Sequence, residues 1–112
     1  MKKINIVKSN REFNEVINKG IKHKNTIFCL YILNNDYRYN RYGIAVSKKI
    51  GNAVTRNKLK RQVRNIIDNN KMLFKKDRFY IIICRKECLD ITFEEMNNEL
   101  KKLLLKEKDD EK

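Results

Sequence analysis

Two short segments of this chain are apolar on both faces when read as β-strands, and they call for a sheet with a buried middle. Residues 25–33 read NTIFCLYIL, rich in β-branched and aromatic side chains. Alternation places Ile27, Cys29, Tyr31 and Leu33 on one face and Phe28, Leu30 and Ile32 on the other. Residues 78–84, RFYIIIC, are equally apolar on both sides. Such strands belong in the interior of a sheet. A further strand, 39–47, puts Tyr42, Ile44 and Val46 on one face, and the small Gly43, Ala45 and Ser47 on the other. Small residues there leave room for a helix or a polynucleotide backbone to come close.

Helical spacing fills the intervals. Ser9 to Lys19 opens with Ser9 and Glu12 as a capping box, carries Phe13, Val16 and Ile17 as its apolar stripe, and stops at Gly20. From Asn52 to Asn69, Leu59, Val63, Ile66 and Ile67 share one arc. Thr92 and Glu95 cap a last helix, with Ile91 opposite Met96 as a staple. In that helix Phe93, Met96, Leu100, Leu103 and Leu104 are expected to bury. Asn34-Asn35-Asp36 marks a turn, 69–77 a polar connection with room for one helical turn, and 85–90 a loop. Residues 1–8 form a basic lead-in, and the charged tail 106–112 is expected to fray. The chain of 112 residues is one domain, 1–112, in the order α-β-β-(β)-α-β-α, with the optional strand near Tyr37. A helix between two apolar strands predicts a βαβ unit with parallel strands, and such crossovers are right-handed in roughly 98% of cases.

Charge is distributed very unevenly. The chain carries a net +13, and Tyr37 to Ile67 holds nine Lys or Arg and no Asp or Glu. On the helix within that stretch, Lys58, Lys60, Arg61, Arg64 and Asn57 lie opposite the apolar arc, with Arg56 at the border. Solvated helix faces ordinarily mix signs, because like charges at i and i+4 repel by roughly 0.2–0.5 kcal/mol per pair. An acid-free cationic face therefore points to a polyanion, and to phosphate in particular. A Lys- and Asn-rich composition accounts for Lys over Arg but not for the missing acids.

The words of the same stretch carry a family likeness. Ser47-Lys48-Lys49-Ile50, Gly51-Asn52-Ala53-Val54, Arg56-Asn57-Lys58, Lys60-Arg61 and Arg64 together resemble the signature of the bacterial ribonuclease P protein subunit. That family's usual motif is Arg-Asn-Arg; Lys58 here keeps the charge and loses the planar fork. The resemblance implies an α+β two-layer sandwich with a small mixed sheet, and a left-handed βαβ crossover against the general rule. It implies a protein that binds the catalytic RNA of ribonuclease P and the 5′ leader of precursor tRNA, supports endonucleolytic 5′ maturation, and lowers the magnesium requirement. The Mg2+ would then be held through the RNA component. Lys48, Lys49, Arg56, Asn57, Lys58, Lys60, Arg61 and Arg64 become the candidate RNA contacts, undivided between catalytic RNA and leader. Phe13 and Tyr31, each of which would otherwise be a core residue, become candidates for stacking in the leader cleft. At Ile17, where relatives often carry an aromatic, one stacking surface is lost. No protein oligomer is implied.

Other chemistries are poorly represented. His23 stands alone in what reads as a basic loop, the position of an ordinary surface residue, and no Ser, Thr or Cys has the context of an activated nucleophile. Cys29, Cys84, Cys88 and His23 match no common zinc spacing, and Cys29 and Cys84 lie in apolar strands, so buried free thiols are expected. The three glycines cannot form a phosphate loop, and no carboxylates converge near the basic stretch for a two-metal nuclease. The chain lacks a signal-peptide core and a run of the ~20 apolar residues that cross a bilayer, and the odd cysteine count suits a reducing cytoplasm. A non-enzymatic RNA-binding module, such as a ribosomal protein or RNA chaperone, is the alternative. A DNA-binding helix-turn-helix is a distant third, since a strand precedes the basic helix.

Overall fold

The computed structural model describes residues 2, 5–7 and 9–110. The helices are α1 (Asn10–Lys19), α2 (Ala53–Asn69) and α3 (Phe93–Asp110). The strands are β1 (Ile21–Lys24), β2 (Phe28–Asn34), β3 (Arg41–Val46) and β4 (Arg78–Cys84). They form one mixed sheet in the order β1-β2-β4-β3, antiparallel except for the parallel β3–β4 pair that α2 connects. The two doubly apolar strands, β2 and β4, are the central ones.

The extra strand is present but not near Tyr37, where it was expected. Residues 35–40 form an irregular loop with Arg38 in the left-handed region at φ 65, and Asn35 Oδ1 accepts from the Tyr37 amide at 3.0 Å. The fourth strand is instead β1, immediately after α1, where charged Lys22 and Lys24 hide the alternation. His23 is consequently not a surface loop residue: it is 6% exposed, facing inward from β1. Residues 71–73 supply the helical turn allowed in the connection after α2, and 86–90, expected as plain loop, form a 3-10 turn. The tail expected to fray, 106–112, ends outside the described residues.

The sheet's two faces are covered unequally. On one, α2 contributes Leu59, Val63, Ile66 and Ile67 and α3 contributes Met96, Leu100, Leu103 and Leu104 to a core with Phe28, Leu30, Ile32, Tyr80 and Ile82. Phe93 departs from its expected burial and is 38% exposed at the start of α3. Ile27 also departs: its amide is taken by Asn25 Oδ1 at 3.0 Å in a turn before β2, so it leaves the alternation and joins the main core. On the other face, α1 buries Val16 against Phe79 and Ile81, with Phe13, Ile17, Tyr31, Leu33 and Ile83 only partly covered. The two-layer arrangement thus holds for the main core, and α1 lies across part of the second face.

Close approach explains two of the glycines. At Gly20 a Cβ would lie 2.5 Å from the Val16 carbonyl oxygen and 2.9 Å from that of Ile32. Its φ of −73 is ordinary, so the residue ends α1 by letting the chain pass tightly onto the sheet, not by a left-handed cap. At Gly43 a Cβ would lie 2.6 Å from the Ile81 side chain and 3.4 Å from the Phe13 ring. The space left by the small face of β3 is therefore occupied by α1.

Candidate nucleic-acid interface

The cationic face is built on a helix whose start favours anions. Asn52 caps α2, its Oδ1 accepting from the Thr55 amide at 2.9 Å, and the first turn contains no acid. Lys48 and Lys49, both exposed, lie in the turn just before, where Ser47 Oγ accepts from the Lys49 amide at 3.2 Å. Free amides at a helix N-terminus and adjacent ammonium groups attract the same ligand, a phosphate.

Along α2, Asn57, Lys58, Arg61 and Arg64 are exposed, whereas Arg56 and Lys60 are half-buried. The Nε of Arg56 is buried and has no hydrogen-bond acceptor among the described residues. A buried donor without an acceptor is costly; an incoming phosphate oxygen would satisfy it.

The apolar and basic candidates meet in one groove. Phe13, Gly43, Ile44, Lys60 and Arg64, with Ile6 and Val7, line a hollow of about 150 Å³ between α1, β3 and α2. Its outer rim is a segment whose sequence reads as mere lead-in: Ile6 bridges to Tyr42, and the Val7 amide donates to the Tyr42 carbonyl at 3.0 Å. Tyr31 lies on the same side of the sheet, partly covered, in the cluster that includes Phe13. Lys58 does not join this groove. Two positions from Lys60 and so about 200° around the helix, it flanks a separate hollow shared with Thr55, Leu59, Cys88 and Met96.

Arg41 leaves the patch altogether. Although it belongs to the acid-free stretch, its side chain is 7% exposed and paired with Glu12 at 3.1 Å. Its guanidinium stacks over Tyr37 at 3.9 Å and donates to the Tyr39 hydroxyl at 3.2 Å. Burial alone would lower the Arg41 pKa; hydrogen bonds with Tyr39 and Glu12, and the Glu12 charge, reverse this and raise it. The same carboxylate, accepting from the Tyr37 hydroxyl at 3.1 Å, raises that phenol's pKa. A larger hollow of about 420 Å³ opens beside this cluster, but Glu12, Glu15 and Asp36 line it against a single cation, Arg11. That lining has the wrong sign for phosphate, so charge rather than size locates the interface.

The cysteines are all free, with Cys84 and Cys88 buried. A hydrogen bond with Cys88, and then burial, push the Cys84 thiol far up, which keeps it protonated and unreactive. Among the described residues no three His, Cys, Asp or Glu side chains converge as a metal site.

Comparison with known proteins decides among the readings. The family model described as Ribonuclease P matches residues 1–108. The ribonuclease P protein component of Mesoplasma florum is 45% identical over 95% of this chain and 97% of its own length. This chain belongs to the ribonuclease P protein family. The corresponding protein of Halalkalibacterium halodurans is 40% identical, covering 89% of this chain and 85% of its own. Among solved structures, a Staphylococcus aureus RNase P protein mutant with defective mRNA degradation activity gives a TM-score of 0.87 at 36% identity, covering 95% of this chain and 90% of that one. The Thermotoga maritima RNase P protein gives 0.81 at 32%, covering 88% and 94%. The mixed four-stranded sheet with three helices is that family's fold. As a ribonuclease P protein, the chain is a subunit of a ribonucleoprotein endoribonuclease of tRNA processing, and the ribosomal-protein and chaperone alternative falls away.

Proposed function

We propose that α2 and the partly open sheet face form one continuous RNA groove. In it Lys48, Lys49, Arg56, Asn57, Lys60, Arg61 and Arg64 meet the phosphates of the catalytic RNA and of the precursor tRNA leader. Phe13 and Tyr31 provide stacking for leader bases. Lys58, on the far flank of α2, serves a different strand from Lys60. The observation that carries the reading is the shared groove of Phe13, Lys60 and Arg64, in which an aromatic ring and two cations with little else to neutralise them face the same space.

The physical role is electrostatic. Bringing a catalytic RNA and a precursor tRNA together sets two polyanions side by side, and Mg2+ bound by the RNA is the usual remedy. A fixed row of protein cations releases condensed counterions on binding and does part of the same work. The protein places charge; the RNA cuts. This work belongs in the cytoplasm, where tRNA matures.

The test is cleavage of a precursor tRNA by a bacterial ribonuclease P RNA across a magnesium titration, with and without this protein. Stimulation at limiting magnesium that fades as magnesium rises is the expected result. No stimulation by folded, RNA-binding protein at any magnesium concentration would overturn the reading.

A further inference from the structure

We infer that the edge strand β1 is the far wall of the leader groove, with Lys22 and Lys24 as a second set of phosphate-gripping side chains across the sheet from α2. This deepens the reading above and rests on it. The register is decisive: Lys22 pairs with Tyr31 and Lys24 with Cys29 across the antiparallel β1–β2 ladder. Directly paired residues project from the same face of a sheet. Both lysines therefore stand on the α1 side, beside the partly covered Tyr31 and Cys29, and both are exposed.

Two features fix that orientation. His23, between the lysines, pairs with Leu30 and is 6% exposed on the opposite, closed face. A slip of one residue would drive both ammonium groups into the core and turn His23 outward. The turn into β2 is tied down as well: Asn25 Nδ2 donates to the Glu99 carbonyl at 3.1 Å and to its carboxylate at 3.2 Å, while Asn25 Oδ1 accepts from the Ile27 and Phe28 amides. β1 is thus held as a rigid rail against α3.

The resulting path has cations at both ends and apolar surface between. Crossing from β3 to β1 spans three strand spacings, about 14 Å, room for a few nucleotides of extended strand. Phe13, Gly43 and the α2 cations lie at one end, Ile83 and Tyr31 in the middle, and Lys22 and Lys24 at the other. In the free protein the Lys22 ammonium lies 5.7 Å from the centre of the Tyr31 ring, within cation–π range. A base stacking on Tyr31 would take that place and release Lys22 to the adjoining phosphate. The competing explanation is that lysines on an edge strand simply deter edge-to-edge pairing.

The experiment measures affinity of the reconstituted holoenzyme for precursor tRNAs whose leaders lengthen from a single nucleotide, at several salt concentrations. It compares the unsubstituted protein with Lys22→Ala/Lys24→Ala, and with Lys101→Ala/Lys106→Ala on α3 as a charge-matched control. The expected result is that affinity rises with leader length in the unsubstituted protein, and that the β1 variant loses the increment from the longer leaders only. Its log K against log salt slope should also shrink by roughly 0.7 for each phosphate that is no longer gripped. A β1 variant matching the unsubstituted protein at every length would overturn the inference alone, leaving edge protection as the lysines' role; self-association of that variant without any leader effect would do the same. An equal loss in the α3 control would overturn it as a net-charge effect. No leader-length dependence even in the unsubstituted protein would overturn the groove reading itself, and this inference with it.

Discussion

Ile82 and Ile83 are neighbours on β4, yet they belong to two different parts of the molecule. Ile82 is fully buried under α2 and α3, in a core that also takes Leu30, Val63 and Leu100. Ile83 points the other way and is only partly covered, because α1 reaches Phe79 and Ile81 but leaves the far end of that face open. The closed face is sealed by two helices; the half-open face is bordered by the cations of α2 and β1. One surface holds the fold together, and the other leaves apolar and aromatic surface partly uncovered.

The largest effect should separate these faces directly. Ile82→Ala removes buried side-chain volume and is expected to cost about 2–5 kcal/mol in urea unfolding, with Ile83→Ala costing clearly less. Equal losses would break the contrast. A second comparison uses two arginines from the same acid-free stretch. Glu12→Gln strands the buried Arg41 charge and is expected to cost about 3 kcal/mol, most of it recovered in Glu12→Leu/Arg41→Met. Arg64→Ala, at an exposed position, should shift stability by less than about 0.5 kcal/mol.

Ligand-binding effects follow. Tyr31→Leu should leave folding nearly intact and weaken binding of leader-bearing substrate by about 1–3 kcal/mol for the stacked base. Lys60→Ala/Arg64→Ala should flatten the salt dependence of RNA binding by about 0.7–0.9 log unit for each phosphate released from the protein, and an unchanged slope would mean that this flank of α2 does not grip phosphate. Asn52→Ala should cost about 1 kcal/mol through removal of the α2 cap, sharpening whether the helix start is held independently of its ligand.

The legible parts of the fold were those with a strong local period. β2, β4, α2 and their inward residues could be read because burial on one or both faces writes itself into the order of apolar residues. β1 could not be read that way: four residues, three of them exposed and only His23 buried, give no alternation of hydrophobicity to detect. A lone His between two lysines, just after a helix stop, was the available signal. Arg41 was misleading for the opposite reason. Its partner Glu12 lies 29 positions earlier in the chain, so counting charge along a window could not show that this cation is neutralised. Sequence likewise placed Lys58 and Lys60 in one patch, whereas their hollows lie on different flanks of α2.

The most direct measurement is to place a photoreactive 4-thiouridine in the leader of a precursor tRNA bound to the holoenzyme, irradiate, and map the adducts on this protein by mass spectrometry. Adducts on the half-open face, at Phe13, Tyr31, Ile83 or the adjoining β1 lysines, are the predicted result. Adducts confined to α3 or to the exposed Met72 side of the molecule would contradict the account.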